Sequence, residues 1–230
     1  MKFKAIAKAS LALGMLATGV ITSNVQSVQA KAEVKQQSES ELKHYYNKPI
    51  LERKNVTGFK YTDEGKHYLE VTVGQQHSRI TLLGSDKDKF KDGENSNIDV
   101  FILREGDSRQ ATNYSIGGLS KTNSKEFSKE VDVKVTRKID ESSEKSKDSK
   151  FKITKEEISL KELDFKLRKK LMEEEKLYGA VNNRKGKIVV KMEDDKFYTF
   201  ELTKKLQPHR MGDTIDGTKI KEINVELEYK

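Results

Sequence analysis

The residues that could perform catalysis in this 230-residue chain are few and scattered. The chain contains no cysteine, so it offers neither a thiolate nucleophile nor a thiolate metal ligand. No histidine stands in His-Glu-x-x-His or another short metal-ligand spacing, and no Gly-x-Ser-x-Gly elbow occurs. The sequence therefore predicts no catalytic residue, no metal site and no cofactor. A hydrolase or protease assembled from distant residues stays open as an alternative. The histidines are His44, His67, His77 and His209.

Asp164 and Arg168 are the clearest charged pair, because they stand four residues apart, where opposite charges support a helix. They lie in residues 155–178, whose leucines recur at helical spacing and predict a long helix with one apolar stripe. Ser159 and Glu162 have the spacing of a capping box near its start. Such pairs are routine on helices, so we interpret Asp164 and Arg168 as structural rather than catalytic. The apolar stripe comprises Leu160, Leu163, Leu167 and Leu171.

The first half of the chain predicts a small antiparallel barrel. A short helix is predicted over Glu39–Tyr46, and it is followed by alternating segments separated by Asp, Gly or Asn, a pattern typical of short strands. Five strands after a short helix suit an OB-fold barrel. The predicted strands cover residues 56–61, 68–73, 78–83, 98–103 and 113–119.

The second half predicts a helix packed across a mixed sheet of about four strands, which is a β-grasp arrangement. Valines alternate with polar residues over residues 131–135 and predict its first strand, whereas the charged residues 140–150 predict a mobile loop. The expected fold class is thus mixed α+β, an N-terminal OB-fold β-barrel followed by a C-terminal β-grasp domain. The other predicted strands are a hairpin over residues 187–192 and 197–202, and a last strand over residues 223–229.

The N-terminus has the composition of a secretory signal peptide. Three lysines precede an apolar run over residues 9–21, which is shorter than the roughly 20 residues that a transmembrane helix needs. We therefore predict a secreted protein that is not inserted in a membrane. The predicted organisation is a signal peptide over residues 1–30, a helix with an OB-fold domain over 31–120, a connector with the first β-grasp strand and a charged loop over 121–150, and a β-grasp domain over 151–230.

The predicted mature chain carries mixed charge rather than a basic patch. Removing the signal peptide takes away three lysines and no acid, so the 45 basic residues become 42 against 37 acidic ones and the formal charge falls from +8 to +5. This interleaving predicts a solvated surface, with which an anionic host ligand is still compatible. Mixed charge, export and the absence of Trp argue against a single-stranded nucleic acid as the partner of the barrel.

The helix segment, residues 155–178, also resembles the C-terminal signature of staphylococcal and streptococcal superantigen-type toxins. Further fragments of the same kind lie at residues 82–90, 99–101, 114–118 and 210–213. The whole mature chain thus resembles the staphylococcal superantigen-like, or exotoxin-like, proteins. The positions that match the signature are Lys155, Ile158, Leu163, Asp164, Arg168, Leu171, Leu177 and Tyr178.

The resemblance implies a secreted immune-evasion factor rather than a superantigen. Superantigens commonly have a disulfide loop in the first domain, which a chain without cysteine cannot form. The first toxin signature is only partly kept, since Gly117-Gly118-Leu119 is followed by Ser120. The implied partners are host immune glycoproteins or leukocyte receptors, and the implied effect is interference with leukocyte or humoral defence. A glycan-independent binder or inhibitor of a host immune protein or protease is the alternative.

One sub-group of the resembled family binds sialylated glycans of the sialyl Lewis X type, and its motif resembles residues 197–210 here. A guanidinium can engage a sialate carboxylate as a fork, while hydroxyl, amide and carboxylate groups hydrogen-bond sugar hydroxyls. Against this, the acidic residues 193–195 could repel an anionic sugar, and an ordinary edge strand with solvated charges is the alternative. By the resemblance, the candidate glycan contacts are Thr199, Glu201, Lys205, Gln207 and Arg210.

Overall fold

The structure, a computed structural model, describes residues 37–104, 112–138, 143–179 and 185–228. The predicted signal peptide, residues 1–30, lies outside these ranges. Within them, no helix is both long enough and apolar enough to cross a bilayer. The described chain forms two large β-sheets, a two-stranded ladder and one long helix.

The first element is the helix α1, Glu39–Tyr46, which confirms the predicted bounds. Ser38 caps its N-terminus: the Ser38 hydroxyl accepts from the Glu41 amide at 3.3 Å, and the Glu41 carboxylate accepts from the Ser38 amide at 2.8 Å. This reciprocal pair satisfies two amides that a helix start would otherwise leave without a partner. The helix buries one face through Leu42, Tyr45 and Tyr46.

A six-stranded sheet follows, in the spatial order β5-β3-β2-β1-β4-β6. Neighbouring strands are antiparallel except β3 and β5, which are parallel. β5 and β6 are the edge strands of this sheet. A short helix, α2, Asp86–Lys89, lies between β3 and β4 in the chain. The strands are β1, Ile50–Asp63; β2, Lys66–Val73; β3, Gln76–Leu82; β4, Gly93–Leu103; β5, Thr112–Ile116; and β6, Leu119–Lys121.

The strand predicted over residues 113–119 is wrong as a single element, because the structure divides it into β5 and β6. Gly117 and Gly118 separate the two strands and adopt φ values of +54° and +85°. Residues with a side chain rarely adopt this left-handed region, so a glycine pair can turn the chain where a strand would otherwise continue. The same glycines allow neighbouring backbone to approach closely, since a Cβ at Gly117 would collide with the backbone of Met211 and one at Gly118 with the backbone of Phe101.

The second sheet has five strands in the order β11-β10-β13-β7-β8, with β13 and β7 parallel, rather than about four as expected. The short strands β9 and β12 pair separately. Two 3₁₀ turns, Pro208–Arg210 and Gly217–Lys219, flank β12. The elements are β7, Lys129–Lys138; β8, Glu144–Ile153; β9, Glu157–Ser159; the long helix α3, Leu160–Glu174; β10, Lys185–Met192; β11, Phe197–Glu201; β12, Thr214–Asp216; and β13, Ile220–Glu228.

The charged loop predicted over residues 140–150 is wrong where the structure describes it. Glu144–Ile153 is the edge strand β8, and it pairs along its whole length with β7. Only Phe151 and Ile153 are buried in it, so no apolar alternation marks the rest of the strand. Backbone pairing to β7 holds this strand, and its lysines suit an exposed sheet edge.

The long helix is shorter than the predicted segment, because residues 157–159 form β9 and the helix ends at Glu174. Its predicted apolar stripe is confirmed, since all four leucines are buried. The predicted capping box is half formed: Ser159 accepts from the Glu162 amide at 3.2 Å, whereas the Glu162 carboxylate accepts from Lys155 and Lys166 instead.

The segment 210–213 joins the two sheets, which belong to one compact unit. The carbonyl of Met211 accepts from Gly118 at 3.0 Å, and the carbonyl of Asp213 accepts from Leu160 at 2.8 Å. The Asp213 carboxylate also accepts from the Ser85 hydroxyl at 2.8 Å. Four segments that carried the family resemblance, residues 82–90, 114–118, 155–178 and 210–213, therefore meet at one junction.

Asp86 is a buried carboxyl at this junction. It is 0% exposed, and neither of its oxygens accepts a hydrogen bond from the described residues. Burial raises its pKa to about 8; Lys89 and Lys161 oppose this rise, while Asp213 and Glu157 reinforce it. The group is consequently protonated in the folded chain at neutral pH.

Replacing Asp86 with asparagine should remove a pH dependence from folding. The folded pKa of about 8 lies above the ordinary value of 3.8, so between these values the folded chain holds a proton that the unfolded chain releases. The free energy of unfolding of the wild type should therefore fall as the pH rises through this window. At its upper end, D86N should be more stable than the wild type by on the order of a few kcal/mol.

Urea unfolding at several pH values would measure this difference. The matched control is Asp88→Asn, an exposed residue of the same helix, which should stay within about 0.5 kcal/mol of wild type throughout. A D86N curve that runs parallel to the wild-type curve at every pH would contradict the assignment.

Candidate functional site

The five residues predicted as glycan contacts line one shallow depression beside the edge strand β11. Its empty volume is about 200 Å³. Thr199, Lys205, Gln207 and Arg210 are half-buried, and Glu201 is exposed. The sequence did not predict the other lining residues, which are Arg168, Phe200, Lys204 and Leu206. The structure thus brings the predicted set together, and its role in glycan binding stays a prediction.

Arg210 is held by neutral acceptors. It ends the 3₁₀ turn Pro208–Arg210, and its Nη1 donates to the Thr199 carbonyl at 3.1 Å and to Gln207 Oε1 at 3.3 Å. Its guanidinium carbon lies 5.7 Å from the centre of the Phe200 ring. No carboxylate of the described residues pairs with this guanidinium. The arrangement orients a positive charge and leaves it available to an anion.

Lys205 is oriented by the N-terminal helix. Its Nζ lies 4.3 Å from the centre of the Tyr45 ring, and its backbone amide donates to Gln37 Oε1 at 3.0 Å. The neighbouring Lys204 pairs with Glu201 at 2.7 Å. The buried Arg168 is neutralised by Asp164, so three cationic side chains, Lys204, Lys205 and Arg210, and the Glu201 carboxylate remain and give the depression a formal charge of +2. A positive, shallow surface of this kind suits a singly charged anionic ligand.

The floor of the depression rests on Arg168, which is fully buried. Its Nε donates to Asp164 at 2.7 Å, while its other nitrogens donate to the Glu201 carbonyl at 3.0 Å and to the Leu202 carbonyl at 3.3 Å. Tyr178 also holds the chain at the end of β11, because its hydroxyl donates to the Leu202 carbonyl at 2.7 Å. The pair predicted to be structural thus holds the end of β11, where the candidate contacts begin. Helix spacing alone could not have shown this connection.

The charge states of this buried cluster are set by burial and by the Asp164 carboxylate. Burial alone would lower the pKa of Arg168, but the adjacent Asp164 outweighs it and raises that pKa. Burial raises the pKa of Tyr178 to about 12 and that of Tyr46 well above its ordinary value. Tyr46 also donates to Asp164 at 2.7 Å. The guanidinium therefore stays charged and both phenols stay neutral near neutral pH.

The acidic turn that could repel an anionic sugar does not line the depression. Glu193 pairs with Lys129 at 3.1 Å, and Asp194 pairs with Lys196 at 2.7 Å. An ion pair reduces the field that each carboxylate exerts on a ligand. The repulsion considered from the sequence is therefore weakened.

None of the four histidines lines the depression. His44 is exposed on α1, His67 bonds to Thr62 on a neighbouring strand, and His77 bonds to Thr72. No cluster of three or more potential metal ligands occurs among the described residues.

Two family profiles match the chain. Residues 40–123 match the family described as the Staphylococcal superantigen-like OB-fold domain, and residues 131–227 match the Staphylococcal/Streptococcal toxin, beta-grasp domain. These matches confirm the predicted fold class, an OB-fold domain followed by a β-grasp domain.

Proteins of Staphylococcus aureus are similar to the chain over most of its length. Staphylococcal superantigen-like 1 of strain Newman is 69% identical over 228 residues, which cover 99% of this chain and 100% of the relative. A superantigen-like protein solved in complex with sialyl-Lewis X is 72% identical, with a TM-score of 0.79 over 84% of this chain and 100% of the other. Another, solved in complex with 3-N-acetylneuraminyl-N-acetyllactosamine, is 69% identical, with a TM-score of 0.77 over the same shares.

Replacing Asp164 with asparagine should destabilise the fold by about 3–5 kcal/mol, because it leaves the buried Arg168 without a counter-charge. The milder Tyr46→Phe removes one donor to Asp164 and should cost about 1–3 kcal/mol. Both values would come from urea unfolding.

The matched control is Lys170→Ala, which breaks the partly exposed pair with Glu174 on the same helix. Exposed pairs at this spacing contribute about 0.3–0.5 kcal/mol. If all three variants lowered the free energy of unfolding by similar amounts, the buried pair would not be a major stabilising interaction.

Proposed function

Since the chain belongs to the staphylococcal superantigen-like family, we propose that it is a secreted, non-enzymatic protein that binds sialylated glycans on host immune glycoproteins. Binding of this kind would cover the glycans that leukocyte receptors display and so interfere with leukocyte or humoral defence. The absence of cysteine supports a role distinct from that of superantigens with a disulfide loop.

The observation that carries the proposal is the state of Arg210. A half-buried guanidinium is oriented by a backbone carbonyl and an amide oxygen, and it has no carboxylate partner among the described residues. A terminal sialate supplies a carboxylate that such a guanidinium can bind through charge-assisted hydrogen bonds. Lys205 adds a second positive charge, and Thr199, Glu201 and Gln207 offer polar groups for sugar hydroxyls.

The relatives support the same ligand class. Two similar Staphylococcus aureus proteins were solved in complex with sialyl-Lewis X and with 3-N-acetylneuraminyl-N-acetyllactosamine, and both of these ligands contain sialic acid. The identity of about 70% with each makes a shared ligand class a reasonable basis for the proposal.

A second candidate function, glycan-independent binding of a host protein, is favoured by the outer face of the six-stranded sheet. Phe59 and Tyr114 are 57% and 45% exposed there, and the strand register places Glu70 and Arg79 between them. Aromatic residues and Arg are enriched at protein interfaces. This face offers a surface for a protein partner whose binding would survive removal of sialic acid.

Arg210→Ala should lower the affinity for soluble sialyl-Lewis X by about tenfold to a hundredfold, because hydrogen bonds to charged groups contribute about 1.5–3 kcal/mol. Titration calorimetry or surface plasmon resonance would measure the affinity. Arg53→Ala is the control, since Arg53 is a half-buried arginine of β1 that does not line the depression. Wild-type affinity in Arg210→Ala would remove this depression as the sialate site.

Binding to human neutrophils before and after sialidase treatment should separate the two candidate functions. We expect sialidase to abolish binding of the wild-type protein, because it removes the carboxylate that Arg210 is proposed to engage. Binding that persists after sialidase would instead support the outer face of the six-stranded sheet. Phe59→Ala should then reduce it.

A further inference from the structure

A groove lies on the outer face of the five-stranded sheet, next to the depression. Its empty volume is about 790 Å³, and Phe197 is its most exposed apolar residue, at 68%. The groove and the depression share Thr199 as a lining residue, so the two are adjacent. The lining residues are Lys187, Val189, Lys191, Met192, Asp195, Phe197, Thr199 and Lys221.

The order of residues along β11 relates the groove to the depression. Phe197, Thr199 and Glu201 alternate with Tyr198 and the buried Phe200, so they share the outer face of the sheet. Residues two apart on an antiparallel strand are separated by about 7 Å. Arg210, which lines the depression, donates to the Thr199 carbonyl. A chain of sugars that begins at Arg210 and passes Thr199 would therefore next meet Phe197.

The charges of the groove favour a neutral ligand. Lys187 pairs with Glu226 at 3.3 Å, and Lys191 pairs with Glu222 at 2.6 Å, so two of its three lysines are already neutralised. Asp195 offsets the remaining charge of Lys221. An exposed aromatic ring flanked by aliphatic groups and by paired polar groups suits a ligand with an apolar face and a hydroxyl edge, as an uncharged sugar has.

We propose that this groove is an extension subsite, in which Phe197 packs against the uncharged sugars that follow the terminal sialylated unit of a longer glycan. The inference rests on the proposed function, because the depression must hold the sialylated end. It adds a preference for chain length, so that extended N-acetyllactosamine chains bind more tightly than the terminal unit alone.

The test compares two probes, a sialylated N-acetyllactosamine trisaccharide and the same terminus extended by two further N-acetyllactosamine repeats. The wild-type protein should bind the extended probe about threefold to tenfold more tightly, in keeping with the contribution of one aromatic contact. Phe197→Ala should bring this ratio close to one while leaving the affinity for the trisaccharide within about twofold.

Two controls accompany this variant. Phe197→Tyr keeps the ring and should keep the preference, whereas Val73→Ala removes an exposed apolar side chain from the other sheet and should leave the affinity for both probes unchanged. Because Phe197 is largely exposed, its replacement should leave the unfolding midpoint unchanged, which the same samples would show.

The outcomes separate this inference from the proposed function. If Phe197→Ala keeps the wild-type ratio, or weakens both probes equally, the extension subsite is wrong even though the protein binds glycans. If the wild-type protein binds neither probe, or Arg210→Ala binds both as well as wild type does, the proposed function itself fails. Selective loss of the length preference in Phe197→Ala supports the subsite.

Discussion

The buried ion pair between Asp164 and Arg168 is the interaction on which the candidate site depends. A guanidinium withdrawn from water is unfavourable unless a counter-charge and acceptors surround it. Asp164 supplies the charge, and the carbonyls of Glu201 and Leu202 and the hydroxyl of Tyr178 accept the other hydrogen bonds. Satisfying Arg168 therefore also fixes the end of β11. Tyr46 extends the constraint to the N-terminal helix, because its hydroxyl donates to Asp164.

Two arginines close to the same strand have opposite roles because their surroundings differ. Arg168 is 0% exposed and paired, so its charge is already neutralised inside the fold. Arg210 is half-buried and bonded only to neutral oxygens of the described residues, so its charge remains available at the surface. The first builds the floor of the depression and the second faces the proposed ligand. Residue type alone does not distinguish these roles, whereas burial and partners do.

The junction between the two sheets positions the segment that carries Arg210. Gly117 and Gly118 admit the backbone of Met211 and Phe101, and Asp213 bonds to both the first half and α3. Close backbone packing of this kind requires glycine, because a Cβ would occupy the space of a neighbouring carbonyl. The depression thus depends on contacts from both halves of the chain, although most of its lining residues come from one strand and the loop after it.

The sequence by itself determined the features that local patterns encode. The leucine stripe predicted α3, short alternating segments predicted most strands, and the resemblance identified the five residues that the structure brings together. Only the tertiary structure decided that β8 is a strand, since an edge strand with few buried residues has no apolar alternation. It alone placed Arg168 beneath the depression and buried Asp86 without a hydrogen-bond partner among the described residues. These features depend on residues distant in sequence, and periodicity records which face of an element is buried but not what packs against it.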